Sequence, residues 1–310
     1  MSTPASAPAG APAGVAPQAT WARWDITIRE LVLLRREHVT PRMLRLTLGG
    51  PGIAGFESHL PDEHCKWVFP DPGTGVTRAP EQDGDHLRWP TPFPPTREYT
   101  VRRYDAAAGE VDFDVVLHDG GVAATWARTA GIGSTLWVAG PRPSRVVPPE
   151  FGFHVLLGDE TALPAIGRWL EEVPAGVRGV AAVEVADAGE EQDLRVPEGW
   201  TLTWLHRDGA PAGSLDLLGE FAEGVALPQD TWTYVFAAGE AGCLKRVRRW
   251  ARAQGVGRGQ SDIAGYWKRG RSNAVDDVLA DPEHDEDRDT EHGHEHGHEH
   301  DHEHGGRPRG

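Results

Sequence analysis

Residues 154–166 of the chain read HVLLGDETALPAI. His154–Leu157 is a short apolar run, Gly158-Asp159-Glu160 is a turn, and Ala162–Val173 has the apolar spacing of a helix. A strand that turns straight into a helix is half of a βαβ unit. Further on, Gly179–Val185, Thr201–Leu205 and Thr233–Ala237 read as strands. Ala241–Gln254 reads as a helix with Leu244, Val247 and Ala251 on one face. Strands alternating with helices predict an α/β domain with a mainly parallel sheet over residues 150–272. Ligands of such a sheet sit beyond the carboxyl ends of its strands, here the turns after Leu157 and Ala238.

Toward the N-terminus the rhythm changes at Pro148-Pro149. Trp24–Leu34, Arg42–Leu48, Lys66–Phe69, Tyr99–Tyr104, Val111–Leu117 and Thr135–Val138 are short runs of β character separated by turn residues. They predict a six-stranded antiparallel β-barrel over residues 21–149. The stretch Pro70–Pro95, rich in Pro, Gly and Asp, is long for a connection and is expected to be functional or disordered. Residues 1–20, MSTPASAPAGAPAGVAPQAT, cannot bury enough apolar surface to offset their ordering entropy and read as a disordered arm.

The arm lacks the basic and apolar regions of a signal peptide, and no run approaches the ~20 apolar residues of a membrane helix. Two cysteines, Cys65 and Cys243, cannot build a disulfide framework, so a cytoplasmic setting is expected. The net charge of -16 argues against nucleic acid and anionic membrane as partners. Most of it lies in residues 273–310, an acidic tail ending in HGHEHGHEHDHEHGGRPRG. Its His292, His294, His296, His298, His300, His302 and His304 are expected to bind Zn, Ni or Cu weakly, since a disordered repeat supplies no fixed geometry. Only three of 31 basic residues are lysines, Lys66, Lys245 and Lys268.

GxGxxG, GxxxxGK[ST], HExxH, CxxC and GxSxG are all missing, which disfavours a plain Rossmann dehydrogenase and a P-loop enzyme. Three clusters remain. Arg97-Glu98-Tyr99-Thr100 sets an arginine and an aromatic on one strand, suited to a phosphate and a flat ring. Gly120-Gly121 precedes an Ala-rich helix bearing Trp126, a plausible anion cradle. Phe236-Ala237-Ala238-Gly239-Glu240 runs a strand into a Gly turn at the edge of the parallel sheet.

REYTVR, LHDGGVAATWA, VAGP, LLGDETALPAI, FAAGEAG and GYWKRG, in that order, resemble the siderophore-interacting protein family, FAD-dependent ferric-siderophore reductases similar overall to ferredoxin reductases. The resemblance spans roughly residues 21–272. It implies that Arg97, Tyr99 and Thr100 hold the flavin. Strict strand alternation sends Tyr99 and Thr100 to opposite faces, so the flavin would meet this strand near its edge or at a twist. His118 would lie beside the adenylate or diphosphate, and Gly121, Ala123, Ala124, Thr125 and Trp126 would cradle the diphosphate. The family's Gly-Pro-Ala-Ser reads Gly121-Val122-Ala123-Ala124 here, which loses a hydroxyl donor that Thr125 could replace. Asp159, Thr161, Gly239 and Glu240 match the nicotinamide-nucleotide side, with Thr161 a candidate helix N-cap ahead of Pro164. Lys66, Lys268 and Arg269 match positions that would attract an anionic ferric siderophore.

The expected reaction is hydride transfer from NADH or NADPH to FAD, then single electrons to Fe(III), with no acid–base pair and no fixed iron ligands. Asp187, Glu190 and Glu191 would favour NADH, while Arg207 and Arg195 would favour NADPH if they converge. Two alternatives stand beside it: a flavin oxidoreductase of the same fold with another acceptor, and a metal-binding protein acting through its tail. No feature suggests an obligate oligomer, so a monomer is expected.

Overall fold

The computed structural model describes residues 14–271; the start of the arm and the tail, with all the tail histidines proposed as metal ligands, lie outside them. The first half contains β1 Thr20–Trp21, β2 Ile28–Thr40, β3 Met43–Gly49, β4 His64–Val68, β5 Glu81–Asp83, β6 His86–Arg88, β7 Thr96–Thr100, β8 Arg103–Asp105 and β9 Glu110–Val116. Helix α1 Val122–Thr129, β10 Thr135–Arg142 and β11 Arg145–Val146 complete it. The second half runs β12 Phe153–Asp159, α2 Leu163–Glu172, β13 Arg178–Val185, β14 Trp200–His206, α3 Leu217–Gly224, β15 Thr233–Glu240, α4 Leu244–Ala253 and β16 Ser261–Trp267.

The first half is an antiparallel sheet in the order β7-β4-β10-β2-β3-β9-β8. Alternation along β3 explains its two faces. Leu44, Leu46 and Leu48 are buried with Val111, Phe113 and Val115 of β9 in one core. The intervening Arg45 and Thr47 stand opposite Asp114 and Asp112 and bond to them. The sheet has seven segments where six were expected, because the run Tyr99–Tyr104 is broken. Val101 N–H donates to Glu63 on the β4 side, and Arg102 N–H donates to Asp112 on the β9 side. The two edge segments are therefore halves of one bent strand, and the sheet curls back toward itself.

The second half is a parallel sheet in the order β14-β13-β12-β15-β16. Leu156 of β12 packs with Ile166, Trp169 and Leu170 of α2. Val155 and Leu157, facing the other way, pack with Leu218 of α3 and Leu244, Val247 and Trp250 of α4. Strand order reverses between β12 and β15, so the crevice outside their carboxyl ends is the switch point of the sheet. Asp159 and Glu240 close those two strands. Helix α3 and strand β16 are additional to the elements read from the sequence.

Two expectations are corrected. The end of the arm is held: Ala19 is buried, its N–H donates to Gly259, and β1 pairs with β11. Thr161 does not cap α2, whose N-cap residue is Ala162 with no side-chain cap. The Thr161 hydroxyl donates instead to Asp159 Oδ1 at 2.6 Å. No helix among the described residues is long and apolar enough to cross a membrane.

Candidate functional site

Gly120 and Gly121 have φ of 79° and 83°, a backbone that L side chains rarely adopt. A Cβ on Gly121 would stand 2.8 Å from His118 Cε1, so the imidazole occupies the space this glycine leaves. Gly121 is the N-cap residue of α1, and no side chain caps the helix. Its first-turn N–H groups thus form an open, partly positive end suited to an anion. Ala123 and Ala124 are buried against the sheet, Thr125 is exposed on the first turn, and Trp126 meets Trp67 edge-on at 6.0 Å. At the far end of α1, Arg36 donates to the carbonyls of Ala127, Arg128 and Ala130, fixing the helix to β2.

Trp67 joins this cradle to β7. The Tyr99 ring lies 4.3 Å from the Trp67 ring, tilted by 37°. Burial pushes the Tyr99 phenol well above its ordinary range, so it is neutral. Arg97, opposite Trp67 in register, donates to the Thr96 carbonyl. Thr100 is buried on the other face of the strand, as alternation demands. Directly after it, the Val101 carbonyl accepts from Arg168 Nη1 of α2 at 3.1 Å, so the end of β7 meets the parallel-sheet half.

The same outer face carries Lys66 and Glu98, which are direct cross-strand neighbours. Lys66 Nζ is 3.3 Å from Glu98, Arg142 is 3.4 Å away and His64 is 3.9 Å away. Burial would raise the Glu98 carboxyl, but His64, Lys66 and Arg142 together hold it below the ordinary glutamate range. The long loop folds over this cluster, with Lys66 Nζ 5.7 Å from the Trp89 ring and 6.0 Å from that of Phe93. These two rings lie 4.6 Å apart.

At the switch point, Asp159 is buried and binds three strand ends together. Its Oδ1 accepts from Thr161 N–H at 2.9 Å, and its Oδ2 accepts from Glu240 N–H at 2.9 Å and Trp267 Nε1 at 2.7 Å. Gly239 is required beside it, because a Cβ there would stand 2.6 Å from the carboxylate. Glu240 in turn accepts from the backbone N–H groups of Gly242, Cys243 and Arg269. Those bonds outweigh its desolvation and hold its carboxyl low. Lys268 and Arg269 are exposed on the turn that follows Trp267.

The structure therefore sets Arg97, Tyr99 and Trp126 about Trp67, Gly121 beside His118, and Thr161, Gly239, Glu240 and Trp267 around Asp159. Arg168 of α2, bonded to Val101, joins the two halves. Sequence reasoning passed over Trp67, Glu98, Trp89 and Phe93 as functional positions. The signal for Trp89 and Phe93 was the length of the loop and the aromatics at its end, while Trp67 and Glu98 lay within the runs Lys66–Phe69 and Arg97–Thr100.

An antiparallel sheet followed by a parallel sheet with an open switch point is the ferredoxin-reductase-like architecture. The likeness extends to the ferredoxin reductase of carbazole 1,9a-dioxygenase in fold alone, at 16% identity and a TM-score of 0.57 over 77% of this chain and 69% of that one. The chain belongs to the siderophore-interacting protein family. Residues 32–145 match its siderophore-interacting FAD-binding domain and residues 152–270 the siderophore-interacting protein model. It is accordingly an FAD-dependent oxidoreductase.

A siderophore utilization protein from T. fusca is 42% identical with a TM-score of 0.78, over 83% of this chain and 98% of that one. Ferric vibriobactin reductase ViuB of Vibrio cholerae is 34% identical over 251 residues, 79% of this chain and 90% of that protein. The NADPH-dependent ferric-chelate reductase of Escherichia coli is 32% identical over 249 residues, 79% of this chain and 94% of its own length.

Proposed function

We propose that the chain reduces ferric siderophores to free Fe(II), drawing electrons from NAD(P)H. The observation that carries this reading is that Val101, directly after β7, accepts from Arg168 of α2 at 3.1 Å while Arg102 forks onto Glu171, which brings the expected flavin-binding strand against the dinucleotide half. The residues fit FAD. The uncapped N-terminus of α1 would offer N–H groups to a diphosphate, Arg97 on β7 a guanidinium, and Tyr99 with Trp67 an aromatic wall. FAD held there would supply hydride acceptance and one-electron release, so that one NAD(P)H would serve two ferric complexes.

The chain's own residues position the partners. Asp159 and Glu240 fix the ends of β12 and β15 so that the crevice for the dinucleotide keeps its shape. Exposed Lys268 and Arg269, beyond Tyr266, supply positive charge to attract an anionic ferric chelate, and Lys66 with Arg142 leaves one positive charge in excess over Glu98. Oxygen donors hold hard Fe(III) better than Fe(II), so reduction releases the metal without iron ligands from the protein. Cytoplasmic, monomeric action fits this reading.

The purified chain supplied with FAD should show a flavin spectrum that bleaches anaerobically with NADH or NADPH and recovers on adding a ferric siderophore, with Fe(II) trapped by a chromogenic chelator. Failure to bind flavin overturns the proposal. Bleaching without recovery leaves a flavin oxidoreductase with another acceptor.

A further inference from the structure

We infer that Arg207 is sequestered by Glu160 and Glu184, and that this chain consequently takes NADH in preference to NADPH. The inference rests on the reading of the parallel sheet as the dinucleotide site. NADPH differs from NADH by a 2′-phosphate on the adenosine ribose, far from the hydride that moves. In parallel sheets of this kind an acid near the strand ends suits the free 2′-hydroxyl, and an arginine accommodates the phosphate.

Arg207 stands where such an arginine would be needed. It follows β14 directly, and its N–H donates to Val185 at the end of β13 at 3.0 Å. Its side chain is only 4% exposed. The guanidinium forks onto both oxygens of Glu160, one contact being 2.9 Å, and reaches Glu184 at 3.3 Å. Glu184 is 3% exposed and directly opposite Asp159 in register. Turning Arg207 outward would leave two buried carboxylates without their cation, a far larger loss than a solvated phosphate contact returns.

The surroundings act in the same direction. The triad of one arginine and two glutamates has no positive charge in excess, although burial raises the carboxyls of Glu184, to about 7, and of Asp159. Asp187 at the end of β13 accepts from Gly189 N–H. His206, the other basic group at the end of β14, is held 2.8 Å from Glu191. Glu190 is used elsewhere, accepting from the Thr40 hydroxyl and Arg42 N–H of the antiparallel half. Arg195 is exposed on the β13–β14 connection, where a single solvated cation contributes little. A further phosphate therefore meets acids and an Arg207 already paired, with solvated Arg195 the one guanidinium of the β13–β14 connection left to answer it.

The test is calorimetric titration of the FAD-loaded full chain with ADP-ribose and with its 2′-phosphorylated form, neither of which can be turned over. ADP-ribose should bind at least roughly tenfold more tightly, and kcat/KM should favour NADH by a similar factor. Glu184→Gln, or Glu160→Gln if the first variant does not fold, loosens the guanidinium and should narrow the gap. Equal or tighter binding of the phosphorylated form by the unaltered chain overturns the inference. If neither compound binds and neither NADH nor NADPH bleaches the flavin, the proposed function fails with it.

Discussion

Asp62 shows how one buried group links the two halves to pH. It is 7% exposed, and its Oδ1 has no hydrogen-bond partner among the described residues. Burial, then the nearby Asp262 of β16, pushes its carboxyl up to about 7, against the hydroxyl of Ser144. Glu63 adds to the rise, Arg145 answers Asp262 at 3.7 Å, and the phenols of Tyr234 and Tyr266 feel both acids. Unfolded, Asp62 loses its proton near its ordinary 3.8; folded, it keeps it to about 7. Between those values the folded state binds more protons, so stability from this group falls as pH rises through the window and is lost above it. Asp62→Asn should therefore raise stability at pH 8, by on the order of 2–4 kcal/mol, with little effect below pH 4. Thermal unfolding at both pH values checks this, and an equal offset at both would contradict it. Neither the orphaned oxygen nor the partner acid was legible in the sequence, since Asp62 and Asp262 are 200 residues apart in the chain.

At the scale of elements, α1 is proposed to do with its uncapped N-terminus what a longer phosphate signature does elsewhere. The Gly pair, the Ala-rich turn and Trp126 were legible because they are local: two positive-φ glycines and a helix need only neighbouring residues. Gly121→Ala should strain a backbone at φ 83° and push on His118, costing about 1–3 kcal/mol locally. The expected outcome is weaker FAD retention, read by flavin fluorescence during dialysis, with little change in far-ultraviolet circular dichroism. The expectation that Thr161 caps α2 was local too, and it failed for a tertiary reason. Asp159 had to satisfy donors from three strand ends, and the nearest hydroxyl was drawn into that network. Strand β16 escaped notice because its residues, SDIAGYW, are half-buried and interrupted by Gly265, so no clean alternation marks them.

For the whole molecule, every residue of the proposed site lies between 66 and 269. Deleting residues 278–310 should leave ferric-siderophore turnover and the melting temperature unchanged while removing most affinity for Ni or Zn in a chelation titration. Loss of turnover would favour the reading in which the tail is the functional part. The sequence by itself determined the two-part architecture, because strand and helix periods are written in local apolar spacing, and the order of six short motifs was enough to reveal the family. Only the tertiary structure decided which charges are free to act. Lys66 is answered by Glu98, Glu240 is absorbed by three backbone N–H groups, and Arg207 is enclosed by two glutamates. A charge's availability depends on burial and on partners brought from distant strands, and a linear sequence contains neither.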